Sequence, residues 1–126
     1  FFTTTTAKNR LISVSVYSVG SDGKPNEILN TEHLIYKLKK GTYEVEADLN
    51  FLNIEFPDNG IFIIIQHPLL EQNKSYSKNS NHPNGFFYEP LISIDKTKEF
   101  TDSWYFQEEW KQSIGYSLNV ELLLSD

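Results

Sequence analysis

The sequence has no cysteine and no long hydrophobic run. The lack of cysteine excludes a disulfide framework of the kind that stabilises small, loop-rich folds. A membrane-spanning helix needs about 20 consecutive apolar residues. The longest apolar run, Ile61–Ile65, is far shorter, so we expect no transmembrane segment.

Basic residues are scarce. Lysine and arginine total 11 against 17 aspartate and glutamate residues, which gives a net charge of −6 at pH 7. Nucleic-acid-binding proteins usually carry a basic patch, and the one close group of lysines here is Lys37, Lys39 and Lys40. We therefore expect no nucleic-acid partner, and the same charge disfavours anionic lipid headgroups. The preference for lysine over arginine, with many Asn and Ile residues, indicates an AT-rich bacterial genome.

Hydrophobic residues make up 39% and aromatic residues 14% of the 126 residues. A chain of this composition is not intrinsically disordered, and its length predicts one domain that buries about two-thirds of its unfolded surface. We assign residues 1–126 to a single domain. The sequence shows no initiator methionine, basic n-region or apolar h-region, so we expect a mature chain or a piece of a longer one.

Alternation of apolar and polar residues dominates the pattern. An alternating segment has one buried and one solvated face, as strands do in antiparallel sheets that pack on one another. Four segments show it clearly: Arg10–Val19, Leu34–Leu38, Tyr43–Leu49 and Tyr116–Leu124.

Further strands are predicted where turn residues separate apolar segments: Phe1–Thr5, Phe86–Ile94 and Ser103–Phe106. Ile61–Ile65 is apolar on both faces, which predicts a central strand that is covered on both sides. The total of about eight strands predicts an all-β fold, an antiparallel two-sheet β-sandwich of the jelly-roll kind.

Three other segments are predicted to differ from strands. Gly20–Asn26 reads as a loop, and Gln107–Ser113 reads as one or two helical turns. Glu71–Gly85 is the longest polar stretch, and it exceeds ordinary loop lengths. We expect it to be either disordered or a functional loop.

Catalytic and metal-binding motifs are weak in this sequence. His33, His67 and His82 do not have zinc-site spacing, and no serine lies in a nucleophile elbow. We therefore predict no catalytic residue, no metal ligand and no cofactor. One question stays open, namely whether aspartates near turns hold a structural Ca²⁺ ion; these are Asp22, Asp48 and Asp58.

Glu44, Glu46 and Asp48 share one face of a predicted strand. Residues two positions apart on a strand are separated by about 6.6 Å. Paired carboxylates at such spacing serve glycoside hydrolysis, but they usually come from different elements. We favour a solvated strand face here.

Aromatic residues form the candidate binding surface. Exposed aromatic rings stack on sugars or anchor protein interfaces, although core or sheet-edge packing is their commoner use. The candidates are Phe87, Tyr88, Trp104, Tyr105 and Trp110.

Several short motifs occur in an order that resembles a known domain. They are Leu11–Val19 followed by Asp22-Gly23-Lys24-Pro25, then Val45–Leu49, Asn53–Pro57, Gly60–Ile65, and finally Trp104 with Asn119–Glu121. The pattern is similar to the jelly-roll-like domain of many Bacteroidota envelope proteins, often found behind a carboxypeptidase-regulatory-like domain. The chain departs from it at Gln66-His67, where Glu-Trp is frequent, and in its expanded Asn-rich loop.

The resemblance implies a non-enzymatic, extracytoplasmic module in the periplasm or at the outer membrane of a Gram-negative bacterium. Our leading hypothesis is an accessory or assembly subunit that binds a protein partner, either an outer-membrane complex or its own preceding domain. The alternative is a carbohydrate-binding module, which predicts coplanar exposed aromatic rings. A small hydrolase or lyase on a sandwich scaffold is the third hypothesis, and it requires carboxylates or histidines of perturbed pKa in a cleft.

Overall fold

The computed structural model describes residues 1–55, 57–76, 85–95, 103–113, 117–118 and 120. Regular structure in these residues is almost entirely β-strand, with 3₁₀ turns at Asn50–Leu52 and Glu71–Asn73 and no α-helix. The strands are β1 (Phe2–Thr5), β2 (Arg10–Val19), β3 (Pro25–Ile28), β4 (Leu34–Leu38), β5 (Gly41–Glu44), β6 (Ile61–Gln66), β7 (Lys74–Tyr76), β8 (Phe86–Tyr88), β9 (Leu91–Ile92), β10 (Ile94–Asp95), β11 (Trp104–Gln107), β12 (Glu109–Gln112) and β13 (Ser117–Leu118).

Every strand pairing is antiparallel. In the larger sheet, β2 pairs with β4 and β3 along one edge and with β6 along the other. A second sheet has the order β5-β1-β9, and three two-stranded ribbons join β7 to β8, β10 to β13 and β11 to β12. The predicted all-β, antiparallel fold is confirmed.

The core lies between the two larger sheets. Ile12, Val14 and Val16 alternate along β2 and are 0%, 2% and 1% exposed, because one face of this strand is fully covered. The central cluster joins side chains of the β2 sheet to side chains at the β1 sheet, as a two-sheet sandwich requires. Its members are Ile12, Leu38 and Val45, with Phe1, Tyr36, Tyr43, Ile65 and Ile92 packed against them.

The backbone of β2 is satisfied on both edges. The Val16 N–H donates to Asn30 Oδ1 at 2.7 Å, and the Val16 carbonyl accepts from Leu29 N–H at 2.8 Å. Both backbone groups of Val16 therefore point away from β6. Backbone groups alternate in direction along a strand. The odd-numbered residues of β2 therefore bond β6, which places the bonded partners at Phe62, Ile64 and Gln66.

Asn73 completes this ladder where β6 ends. The register that pairs Ser13 with Gln66 puts Pro68 opposite Leu11, and proline has no N–H to donate. The buried Asn73 carboxamide takes its place, accepting from Leu11 N–H at 2.7 Å and donating to the Leu11 carbonyl at 2.8 Å. It also donates to the Pro68 carbonyl at 2.9 Å.

A buried ion pair ties the two sheets to the β7–β8 ribbon. Glu89, only 1% exposed, pairs with Arg10 Nε at 3.1 Å and accepts from the Thr6 N–H and the Thr5 hydroxyl. Arg10 also donates to the Ser75 hydroxyl at 2.6 Å and to the Gln72 carbonyl. The Glu89 N–H donates to the Asn73 carbonyl at 2.8 Å, so the two buried polar groups are linked.

The charge of Glu89 depends on these donors. Burial alone raises the pKa of its carboxyl, but hydrogen bonds from Thr6 and Ser75 outweigh burial and lower it below 4.5. A carboxyl whose pKa is lowered by folding stabilises the protein above its unfolded pKa, and the stabilisation disappears as the pH falls through the folded value.

Some predicted elements differ from the structure. The strand predicted at Tyr43–Leu49 ends early: β5 spans Gly41–Glu44, and the pairing continues only to Val45, which exchanges backbone hydrogen bonds with Phe1. Among the described residues β6 pairs only with β2, so the predicted central position of Ile61–Ile65 is not seen there, and its isoleucines are half-buried. Gln107–Ser113 holds β12 rather than helical turns.

Other segments are more regular or more divided than expected. The predicted loop at Gly20–Asn26 leads into β3, and Glu71–Gly85 contains β7. The segment 86–94 is divided among β8, β9 and β10. The described residues contain thirteen strands, most of them short, whereas about eight were predicted. Of Tyr116–Leu124, only β13 and Val120 are described; the remainder lies outside the described residues.

We expect Asn73→Ala to lower the free energy of unfolding by about 3 kcal/mol, because it leaves buried backbone groups of Leu11 unpaired. Urea denaturation at pH 7 measures this change. The matched control is Asn59→Ala, which removes one exposed hydrogen bond to the Val19 carbonyl and should cost about 0.5 kcal/mol or less. Equal losses for the two variants would contradict the structural role of Asn73.

We expect Glu89→Gln to lower the free energy of unfolding by about 3 kcal/mol at pH 7, because Arg10 is left without its buried counterion. The difference from the wild type should shrink as the pH falls below 4.5, since Glu89 itself becomes protonated. Denaturant titrations at pH 7 and at low pH test both points. Glu71→Gln, at an exposed pair with Lys74, serves as the control with little effect at either pH. A loss that does not change with pH would exclude the charge of Glu89 as its cause.

Candidate functional site

A cleft of about 1000 Å³ runs along the outer edge of β6. All residues of β6 line it, from Ile61 to Gln66, and so does the following His67. Because Phe62, Ile64 and Gln66 bond to β2, the N–H and carbonyl groups of Ile61, Ile63 and Ile65 point into the cleft. Within the described part of the chain, no other strand pairs with this edge.

The β11–β12 hairpin forms the aromatic wall of the cleft. Trp104 pairs with Gln112 and Phe106 pairs with Trp110, so these four side chains share one face of the hairpin. The Trp104 ring meets the Phe62 ring edge-on, with centroids 6.3 Å apart and planes at 87°. This contact places the hairpin against the outer face of β6.

The five predicted binding residues do not form one site. Trp104, Tyr105 and Trp110 line the β6 cleft. Phe87 and Tyr88 lie on β8 and are not among the residues that line this cleft, although Tyr88 contacts His67, which does line it. The His67 and Tyr88 rings are stacked, with centroids 6.3 Å apart and planes at 10°.

Phe106 is the aromatic residue that sequence reasoning missed. It is 63% exposed, it lines the cleft, and its ring lies 5.3 Å from the Trp110 ring. Its pairing opposite Trp110 depends on a hairpin at Glu108, a residue with φ of 63°. The segment was predicted as helical turns, so this pairing could not be found from the sequence.

A smaller cleft of about 530 Å³ lies on the inner side of β6. Its apolar floor contains Val14, Ile63 and Ile65, and one wall is the segment 44–50. Ile63, Ile65 and Val120 line both clefts, so the two are continuous around β6. We call residues 44–50 the acidic wall, because they include Glu44, Glu46 and Asp48.

The three carboxylates of the acidic wall are exposed, as the interpretation of a solvated strand face expects. Asp48 accepts a hydrogen bond from Asn50 N–H at 2.9 Å. None of the described residues that line this smaller cleft is histidine, lysine or arginine. Burial raises the pKa of the neighbouring Tyr36 hydroxyl and the charge of Asp48 raises it further, so this hydroxyl stays protonated. The acidic wall therefore carries three exposed carboxylates beside this cleft.

Of the three aspartates considered for Ca²⁺, Asp58 lies in the turn before β6. Asp22 pairs with Lys24 at 3.8 Å, whereas Asp48 belongs to the acidic wall. The described residues contain no group of three or more histidine, aspartate or glutamate residues that could hold a metal ion. Of the histidines, His33 is exposed, His67 stacks on Tyr88, and His82 lies outside the described residues.

No protein-family model, curated protein or solved structure matches this chain. The resemblance to a Bacteroidota envelope domain therefore rests on the short motifs alone. In the described part of the chain, no helix has the length and apolar character to cross a membrane.

We expect Phe62 and Trp104 to be energetically coupled, because edge-on aromatic pairs contribute about 1 kcal/mol beyond burial. A double-mutant cycle with Phe62→Ala and Trp104→Ala, measured by urea denaturation, gives the coupling. The control cycle pairs Phe62→Ala with Tyr105→Ala, since Tyr105 lies on the opposite face of the hairpin. Additive effects in both cycles would show that the hairpin is not docked on β6.

Proposed function

We propose that this chain is a non-catalytic module of a bacterial cell envelope that binds a protein partner along the β6 cleft. In this role it acts as an accessory or assembly subunit. The observation that supports the proposal is the outer edge of β6, with which no other strand of the described residues pairs and where Ile61, Ile63 and Ile65 present backbone donors and acceptors to an apolar cleft. An exposed sheet edge is a recurrent site of strand addition by a partner.

The composition of β6 supports this role. Proteins usually protect edge strands with charged residues, proline or shortness. The edge strands β3, β4 and β5 each contain a charged residue, namely Glu27, Lys37 and Glu44. β6 has the sequence IFIIIQ and contains no charge. An uncharged, isoleucine-rich edge is suited to being covered by another chain.

The aromatic wall favours a protein partner over a glycan. Carbohydrate binding by stacking uses coplanar exposed rings. In the cleft, the Phe62–Trp104 and Phe106–Trp110 planes meet at 87° and 68°. Such edge-on contacts are typical of hydrophobic packing and of interface anchors.

The location in the envelope is supported by the motif resemblance. A periplasmic or outer-membrane position gives two candidate partners of different kinds, an outer-membrane complex or a domain that precedes this one in a longer chain. Both would meet the module through the same β6 cleft.

We expect a photo-crosslinking residue at position 106 to capture one protein in the envelope of the producing bacterium. The same residue at position 35 should capture none, because Ile35 is similarly exposed at 54% but does not line either cleft. Crosslinked products are identified by mass spectrometry. No product at position 106, or the same product at both positions, would contradict the proposal.

Proline at β6 gives a second control for the same experiment. The Ile63 N–H points into the cleft, so Ile63→Pro removes a donor for the partner without removing a bond to β2. We expect it to abolish crosslinking at position 106 while the thermal midpoint shows that the protein is folded. Ile61→Pro, at the first residue of the strand, replaces it if Ile63→Pro does not fold.

A further inference from the structure

Two strand connections lie side by side at one end of the sandwich. Residues 6–9 join β1 to β2, and residues 39–40 join β4 to β5. Because β1 pairs with β5 in one sheet and β2 pairs with β4 in the other, both connections cross between the sheets at the same end. The Asn9 N–H donates a hydrogen bond of 3.0 Å to the Leu38 carbonyl, which holds the two connections together.

The connection between β6 and β7 reaches the same end. β6 runs antiparallel to β2, and the Asn73 side chain then bonds the backbone of Leu11, close to the start of β2. The Gln72 side chain donates to the Asn9 carbonyl at 3.1 Å, so this connection contacts the one before β2. We call the three connections together the basic end, namely residues 6–9, 39–40 and 67–73.

Charge is unevenly distributed in this acidic protein. The basic end carries three exposed lysines, Lys8, Lys39 and Lys40. Its one acidic residue, Glu71, lies 3.5 Å from the Lys74 ammonium, which offsets the charge of the carboxylate. The net charge of −6 predicts repulsion from anionic lipids. Exposed charges farther away than about 10 Å are largely screened in ordinary buffers, so the local positive charge decides which partner this end attracts.

Two exposed leucines add an apolar contact to these lysines. Leu69 and Leu70 are 71% and 45% exposed. The Leu70 carbonyl accepts a hydrogen bond of 2.9 Å from the Asn73 N–H, and Asn73 itself is buried, so the backbone that presents the leucines is held in place. Apolar side chains next to basic ones suit the surface of an anionic membrane. The apolar groups enter the boundary of the acyl chains, while the ammonium groups contact the headgroups.

We infer that the basic end docks on an anionic lipid surface. Leu69 and Leu70 enter the headgroup region, and the three lysines bind the lipid phosphates. The rest of the fold is compatible with this orientation. Val45 bonds Phe1 at the far end of β1, so the acidic wall begins at the end of β5 that lies away from the lipid.

Vesicle sedimentation tests this inference with the purified chain. One set of vesicles contains phosphatidylcholine alone, and the other contains phosphatidylcholine mixed with phosphatidylglycerol. We expect the chain to bind the mixed vesicles about 100-fold more tightly, since each of the three lysines contributes about fivefold at an anionic surface. Binding should weaken as the salt concentration rises, because salt screens these attractions.

A pair of double variants separates local charge from net charge. Lys39→Gln with Lys40→Gln should weaken binding to the mixed vesicles about 25-fold. The control, Lys24→Gln with Lys111→Gln, gives the same net charge but changes lysines in the loop before β3 and on β12. It should weaken binding less than about twofold. Equal losses in the two double variants would overturn the assignment of the basic end.

A second pair of variants tests the apolar contact. Leu69→Ser should weaken binding to the mixed vesicles about tenfold, because the leucine no longer leaves water on docking. The control is Phe51→Ser, at a ring that is 52% exposed in the turn Asn50–Leu52, and it should leave binding unchanged. Thermal midpoints show that both variants are folded. Unchanged binding by Leu69→Ser would overturn docking on lipid.

The remaining outcomes identify other partners. Equal binding to neutral and mixed vesicles would exclude the lysines as the cause and overturn the inference. Capture of the chain by immobilised polyglutamate, without binding to vesicles, would overturn it in favour of an acidic protein. The inference does not use the β6 cleft. Its failure therefore leaves crosslinking at position 106 as the separate test of the proposed function.

Discussion

Complete hydrogen bonding of β2 is the constraint on which the rest of the structure depends. Its alternate side chains are buried in the core, so its backbone groups have no access to water and each needs a partner. β4 and β6 satisfy most of them, and the side chains of Asn30 and Asn73 satisfy those that the strands do not reach. The orientation of β6 follows from this ladder, which turns alternate backbone groups of β6 outward.

The polar contacts at the end of β2 connect this ladder to the second sheet. Asn73 bonds to β2 through its side chain and to Glu89 through its carbonyl, and Glu89 in turn holds Arg10 and the end of β1. Such a network stabilises a fold only when all its members are satisfied. Here one carboxylate fixes the relative position of β1, β2 and the β7–β8 ribbon, and its pKa, which its donors lower, keeps it charged near neutral pH.

The sequence predicted the all-β fold because period-2 alternation records directly which face of a strand is buried. It failed where structure depends on pairing: Gln107–Ser113 shows no clear alternation, yet it is a strand because Trp110 packs opposite Phe106. Ile61–Ile65 was placed at the centre of a sheet because all its residues are apolar. In the described residues, the same composition occurs in a strand that pairs with β2 on one side and borders a cleft on the other. Trp104, Tyr105 and Trp110 were found as site residues by their type, whereas the separation of Phe87 from them depends on long-range topology.

The negative charge of the chain opposes self-association through the uncharged strand β6. An isoleucine-rich edge strand is a template for association, and β6 lacks the residues that normally prevent it. The acidic wall is continuous with this edge, and the whole chain carries a net charge of −6. Two copies that paired through β6 would bring their acidic walls together, and like charges in that position oppose association.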